Sequence, residues 1–479
     1  LPTVPCRRAM HTGRYTLQAK GWSPLDMEDT TIADLAWGRG IDTGLIFDCP
    51  MYRLPKFGYT RGFDKVWFLH GHEGDHWFYA QDPLIHCKPE DFHEDHIIES
   101  ADATLGEKVV EPLMHETASY LAHRQYWKTE EDQNVAKVMK MAVNYLKHID
   151  RNKPFYLWVD SFDPHEPWDP PSVYDPDKKC PYNPDYEGKD QFLPIMGPVE
   201  GVYTEEELHH VRMLYAEKIT MVDNWVGYLL DNIKKLGLED DTLILFVADH
   251  GEPMGNGEHG HGIMRKCRPW PYEELAHIPF IMKGPGLPAG KRVTSFVQSC
   301  DVAPTVTEWL GLGVHWEMQG KSLLSLAKGE IDKVRDFAIA GYYGYSWSII
   351  NDEWSFIHWV KKDEETIADS IFQIYGVESA KAASYLGQEF ADSAPGAGAD
   401  TTDVMLSDEE KMLKDAATLD GEDQWTCTPG SVAEVPERDE LYDRRIDPFQ
   451  LNNIVDKHPE KAKELFQQLR EFMAELRVT

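Results

Sequence analysis

The 479-residue chain carries 82 acidic and 48 basic side chains, a formal net charge of −34. So acidic a molecule repels nucleic-acid backbones at long range, which excludes non-specific nucleic-acid binding. The surplus acid reads as a solvated surface, and an anionic substrate would need a local nest of Arg, Lys, His or metal. A hydrophobic content of 42% with 15 Trp, 21 Tyr and 19 Phe excludes wholesale disorder, and no apolar run reaches the roughly 18 residues of a membrane span.

The chain opens on Leu1, with Arg7 and Arg8 close behind and no apolar signal core, so a preceding segment is expected. Over 134–149 the residues Val135, Val138, Met139, Ala142, Tyr145, Leu146 and Ile149 share one face at helical spacing. Pro154 ends that region, and 155–159 reads as a buried strand. A proline-rich loop leads to a long helix over 204–236, stopped by Gly237, and to a strand at 242–248. That strand is apolar on both faces, as central parallel strands are. A short strand is predicted at 278–282, and Asp301 is predicted to cap a helix running to Leu310 with Pro304 in its first turn. Past residue 330 the aromatic runs 342–347 and 354–359 predict antiparallel strands. The stretch 363–430 is acidic and weakly patterned, an insertion, lid or surface excursion, and 459–476 predicts an amphipathic helix.

Strands alternating with helices predict an α/β fold, a large mostly parallel sheet sandwiched by helices over 1–330. A smaller C-terminal α+β subdomain with antiparallel sheet follows over 331–479. The seven cysteines are scattered without a C-x-x-C pair. They form neither a disulfide framework nor a zinc-finger set and favour a reducing, cytoplasmic compartment.

In such sheets chemistry gathers beyond the carboxyl ends of strands. Asp249-His250-Gly251-Glu252 follows directly on a predicted strand. An adjacent carboxylate and imidazole there can turn toward one divalent cation, with Gly251 permitting the sharp exit; a hydrogen-bonded turn is the plain alternative. Glu258, His259, His261 and Lys266 crowd the same loop with titratable groups. In the 160–168 loop two prolines flank His165 and Glu166 and stiffen the segment. At the start, Thr3 and Arg7 stand four residues apart. They could pair a nucleophile with an anion clamp at a helix N-terminus, ordinary capping by Thr3 being the alternative. His70, His72 and His76, among Glu73 and Asp75, either line a substrate mouth or second metal site or are simply solvated.

Together these pieces resemble the sulfatase family of the alkaline phosphatase superfamily. Thr3-Val4-Pro5-Cys6-Arg7 followed by Thr12-Gly13-Arg14 is similar to its N-terminal motif. Gly58 to Asp64, Pro164-His165-Glu166-Pro167, Asp249-His250-Gly251-Glu252, Lys283-Gly284-Pro285-Gly286, Asp301-Val302-Ala303-Pro304-Thr305 and Glu440-Leu441-Tyr442-Asp443 follow in the family's order. The resemblance implies Thr3 as nucleophile, Arg7 as its anion-stabilising partner, and Asp249, His250 and the Thr3 oxygen as metal ligands. It implies His165 and Lys266 as substrate-contacting residues, with Arg265 or Arg268 as substitutes for the lysine. His261 or His259 would protonate the leaving oxygen.

Three departures qualify it. The family's metal-binding Asp on a strand before the nucleophile motif is missing here, so a separate N-terminal fragment supplying it is one expectation. Thr3 lacks the CH₂ needed for conversion to formylglycine, so release of its ester requires attack by water; Cys6 lacks the following proline and does not replace it. Phe47-Asp48-Cys49-Pro50 stands where the family has its sulfate-binding Lys and His. Asp48 is expected to repel a dianion, which favours a phosphodiester or phosphonate monoester. The implied enzyme is a metal-dependent phosphate, phosphonate or sulfate ester hydrolase acting through a covalent Thr3 intermediate. A sulfatase using unmodified Thr and a catalytically silent metal-binding relative are the alternatives. One divalent ion (Mn, Ca or Zn) is expected, with a second left open, together with a small anionic substrate, no nucleic acid or membrane partner, and a homo-oligomer.

Overall fold

The computed structural model describes residues 3–16, 23–72, 75, 92–105, 117, 118, 120–257, 260–266, 269–343, 345–360 and 436–476. The acidic stretch 363–430 and Glu73, His76, Glu258, His259 and Arg268 lie outside the described residues. Among the described residues no helix is long and apolar enough to cross a membrane.

Strand β1 (Asp42–Phe47) is the centre of a three-stranded parallel sheet, flanked by β2 (Lys65–Phe68) and β3 (Phe155–Asp160). The register sets Phe47 level with Asp160, so Asp48 and the 160–168 loop leave the sheet side by side. One face is covered by α2 (Asn134–Lys147) and α3 (Glu205–Lys235). Here Ile46 packs with Val138, Met139, Ala142, Tyr145 and Met221. The predicted helical face is thus the buried one. Helix α3 begins at a capping box, Thr204 with Glu207, has three Glu in its first turn and ends on Lys234 and Lys235. Both ends match the helix dipole. On the other face α1 (Val4–Thr12) and α4 (Val302–Trp309) pack Met10, Val302 and Ala303 against Ile41 and Tyr156. The predicted layers of helix, sheet and helix are present.

Strand β4 (Ile244–Val247) departs from expectation. It pairs antiparallel with β5 (Phe280–Lys283), and Phe246 and Ile281 are 43% and 60% exposed. Among the described residues β3 and β4 each have one hydrogen-bonded edge. Yet both pack against the same two clusters, Leu157 with Ile244 on one face and Trp158 with Val247 on the other. Asp301 stands at the predicted N-cap position of α4, but its side chain bonds elsewhere. Its carboxylate makes no bond to α4 but accepts the Gln298 N–H of the preceding turn at 2.7 Å and takes both guanidinium nitrogens of Arg335 at 2.5 Å. The Lys321 N–H adds a further donor at 2.8 Å, so a charged partner and backbone N–H groups together satisfy this fully buried carboxylate.

Strands β6 (Phe337–Tyr342), β7 (Ser346–Asn351), β8 (Trp354–Trp359) and β9 (Glu440–Asp443) form the antiparallel sheet in the order β9-β8-β7-β6. Helix α5 (Pro459–Glu475) lays Ala462, Leu465, Leu469 and Met473 on Trp347, Ile349, Phe356 and Leu441. Those four helix positions recur every three or four residues, which puts them on one face. Leu469 is fully buried, so Leu469→Ala is expected to cost about 2–5 kcal/mol in urea unfolding; an unchanged midpoint would contradict this packing. The opposite face of the sheet, through Ile357, Trp359 and Tyr442, packs on Met196, Ile263 and Tyr272.

Candidate active site

Thr3 precedes α1 but does not cap it: its side chain makes no cap hydrogen bond, and its φ is 29°. A β-branched residue at positive φ is sterically strained, and such strain collects at functional positions. Instead Oγ1 lies 3.5 Å from Nε2 of His250. One helical turn later Arg7 is buried, with its N–H on the Thr3 carbonyl at 3.0 Å. Gly13 closes α1 at φ 72°, where a Cβ would meet Met318 Cγ at 2.8 Å. That explains the glycine of T-G-R.

The Arg7 fork holds Asp160, the last residue of β3, through Nε at 3.0 Å and Nη2 at 2.9 Å. Its Nη1 donates to Asp249, just beyond β4. One guanidinium thus joins two strand ends. Burial opposes ionisation of Asp249, but Arg7 and then His250 outweigh it and hold the carboxyl below its ordinary range. Burial pushes His250 down to about 4, so its ring is neutral at pH 7. Its Nδ1–H donates to the Gly251 carbonyl at 2.7 Å, which leaves the Nε2 lone pair facing Thr3, 3.7 Å from Asp249 Oδ2. Metal-binding histidines are fixed in this way, by a hydrogen bond at the other nitrogen. Gly251 is required by close approach rather than by an unusual φ: a Cβ there would stand 2.1 Å from the Glu274 carbonyl oxygen.

His165 stacks on Phe162 with ring centroids 4.1 Å apart, donates from Nδ1 to the Glu166 carbonyl at 2.6 Å, and receives Lys266 Nζ at Nε2. Burial holds it well below its usual pKa. Lys266 also donates to Glu166 Oε1 at 2.9 Å, which Arg265 Nε reaches at 2.6 Å. Arg265 is therefore committed to Glu166. Both His165 and Lys266 lie close enough to His250 and Asp249 to act on their ionisation. The structure so brings together Thr3, Arg7, His165, Lys266, Asp249 and His250.

It places His261 differently. That ring stacks flat on Tyr272 at 3.7 Å, with Nε2 on the Gln450 carbonyl at 2.9 Å and Nδ1 on Glu274 at 3.2 Å. Both nitrogens face acceptors, and no described contact joins the ring to Thr3, His165 or Lys266.

Asp48 and His72 also depart from expectation. Asp48 is fully buried, its Oδ1 accepts the Phe162 N–H at 2.7 Å, and burial pushes it up to about 7. It supports the His165 loop from behind rather than presenting a charge to solvent. His72 is 3% exposed and 3.4 Å from Asp163, which corrects the solvated reading; His70 binds Asp75 at 2.8 Å. Asp48, His72 and Asp163 offer three donor atoms within 4.8 Å of one another, a set that could hold a cation. Lys218 Nζ already stands 2.9 Å from Asp163 Oδ1. A divalent ion there would meet an ammonium, as one at Thr3, Asp249 and His250 would meet the Arg7 guanidinium that donates to Asp249. Sequence reasoning gave no role to Asp160, Glu166 or Lys218, although Asp160 directly follows a predicted strand and Glu166 lies inside the P-H-x-P segment.

Because Arg7 and His11 share the helix that Thr3 precedes, pH tests the packing around the site. Burial, and then Arg7, push His11 down to about 3, with Nε2 on the Tyr52 hydroxyl at 2.9 Å. Between pH 6.5 and 3 the unfolded chain binds a proton that the folded chain refuses. His11 therefore stabilises the fold above pH 6.5 and ceases to as pH falls. The stability gap between wild type and His11→Gln should close by about 1.4 kcal/mol per pH unit below 6.5. Parallel urea curves at pH 7 and 5 with a constant gap would contradict it.

The sulfatase family model matches residues 1–312, and the model described as N-sulphoglucosamine sulphohydrolase, C-terminal matches 257–369. An arylsulfatase of Clostridium perfringens is 29% identical over 212 residues, 42% of this chain and 43% of that protein. The multifunctional alkaline phosphatase superfamily protein PehA of Trinickia caryophylli is 31% identical over 223 residues, 40% of each chain. The chain thus spans less than half the length of either of these relatives. The fold is similar to that of the phosphonate monoester hydrolase of Agrobacterium radiobacter, with TM-score 0.58 at 18% identity over 99% of this chain and 87% of that one. With the family model covering 312 of 479 residues and its motif residues gathered at one site, the chain belongs to the sulfatase family.

Proposed function

We propose that the protein hydrolyses phosphate, phosphonate or sulfate esters in two steps through a covalent ester on Thr3. The observation that carries this reading is the Thr3 hydroxyl: freed from capping, it faces the lone pair of a neutral His250 beside Asp249. Asp249, His250 and Thr3 Oγ1 would hold a divalent cation, with Mn, Ca or Zn all suited to oxygen and imidazole donors, and such an ion supplies the positive charge that lowers a hydroxyl's pKa. Thr3 Oγ1 attacks the phosphorus or sulfur in line, forming an O–P or O–S bond as the bond from that atom to the ester's leaving oxygen breaks. Lys266, beside His165, would face the charge that grows on the equatorial oxygens and is the ammonium assigned to protonate the leaving oxygen. Water then attacks the same atom and releases Thr3.

Two features favour a monoanionic group, a phosphodiester or phosphonate monoester. Thr3 cannot become formylglycine, and the site's cations are already matched by carboxylates, Arg7 with Asp160 and Asp249, Lys266 and Arg265 with Glu166. Metal-loaded protein should turn over aryl phosphodiesters and phosphonate monoesters faster than aryl sulfates. Faster sulfate release would reverse that order, and no release from any of the three would end the reading.

A further inference from the structure

Helix α3 carries a lysine that the reaction above does not use. Lys218, midway along it, is 1% exposed. A lysine this buried is rare unless its charge is matched. Its ammonium donates to Asp163 at 2.9 Å, to Asp169 at 3.3 Å and to Gln133 Oε1 at 2.9 Å. Asp163 and Asp169 are the two ends of the short loop whose middle is His165 and Glu166. Each end is tied further: Asp163 takes the Val135 N–H at 3.1 Å and faces His72, and Asp169 takes the Tyr120 hydroxyl at 2.9 Å and lies 3.5 Å from Arg124. Between them Trp168, fully buried, donates to the Pro164 carbonyl at 3.1 Å.

We propose that Lys218 is a positioning residue for His165: its buried ammonium clamps Asp163 to Asp169 and so fixes the loop that presents His165 to Lys266. The two carboxylates repel each other inside the protein, and the ammonium between them turns repulsion into a staple. Replacing it by an uncharged side chain leaves two buried like charges at the base of the loop. The base opens, and the imidazole at the apex leaves the lysine it meets. A displacement of about 1 Å at a catalytic group costs on the order of 10²-fold in rate.

The proposal rests on the reading of His165 as an active-site residue, so its test uses two readouts. In the metal-loaded full chain, carbethoxylation of His165 by diethyl pyrocarbonate, mapped by peptide mass, reports the loop without reference to activity. Lys218→Met should raise His165 labelling severalfold and lower kcat about 10–10²-fold with KM little changed. Asp169→Asn, which keeps the Lys218–Asp163 pair, should give a smaller rise in labelling. Lys218→Met with Asp169→Asn removes the buried repulsion, so it should recover thermal stability but not kcat. Wild-type labelling and kcat in the folded double variant would overturn the proposal, as would unchanged labelling in Asp169→Asn if Lys218→Met does not fold. If wild type hydrolyses none of the esters, the functional reading falls, while the labelling results still decide the role of Lys218.

Discussion

Thr3→Ala is expected to lower turnover by on the order of 10⁴-fold or more while leaving the fold intact, because it deletes the attacking atom and little else. Among the described residues the Thr3 hydroxyl meets His250 Nε2 at 3.5 Å and makes no cap bond, so its loss costs one long contact at a buried acceptor and little stability. The backbone favours the change if anything: φ of 29° strains a β-branched residue more than alanine. Thr3→Ser keeps the oxygen and should retain measurable turnover, since the methyl orients the hydroxyl but does not react. The pair separates chemistry from folding. Equal loss in both variants would point to a structural role for the methyl, and substantial activity in Thr3→Ala would remove Thr3 as nucleophile.

The second large effect is expected at Arg7, and it should fall on stability as well as activity. Arg7→Met leaves Asp160 and Asp249 facing each other, 7% and 18% exposed in their side chains, with no charge between them. Breaking a buried pair in this way typically costs about 3–5 kcal/mol. Part of that will be recovered as one carboxyl takes up a proton, so the loss in urea unfolding should be larger at pH 8 than at pH 5. Asp249 also loses what holds it ionised, so turnover should fall with it. Arg7→Lys keeps a charge but not the fork that reaches Asp160 with two nitrogens and Asp249 with a third, and is expected to lie between. A fully stable Arg7→Met would show that the two strand ends do not need this cation.

The residues visible in the sequence are those carried by short segments at strand ends. Thr3, Arg7, His165, Asp249, His250 and Lys266 each sit in a contiguous motif, and the helical and alternating periodicities placed α2, α3, α5 and the antiparallel strands. What escaped depends on pairings between distant segments. Nothing near Arg7 announces Asp160, 153 residues away, and nothing near Lys266 announces Glu166, 100 residues away. His261 has the look of a loop base until Tyr272 and the Gln450 carbonyl, 189 residues on, enclose it. Asp48 stands where a substrate-facing cation is expected, and only the Phe162 N–H bond shows that it turns inward. For β4, apolar residues on both faces imply burial, but hydrophobicity carries no record of which backbone edges are bonded or in what direction.

The most direct test of covalent catalysis at Thr3 is to quench the metal-loaded protein in acid during turnover of an aryl phosphonate or phosphodiester and map the adduct by peptide mass. The transferred group should be found on the peptide containing Thr3, absent from Thr3→Ala, and chased to free product when quenching is delayed. Turnover with no adduct on that peptide, or with the group on another side chain that clears at the catalytic rate, would contradict it.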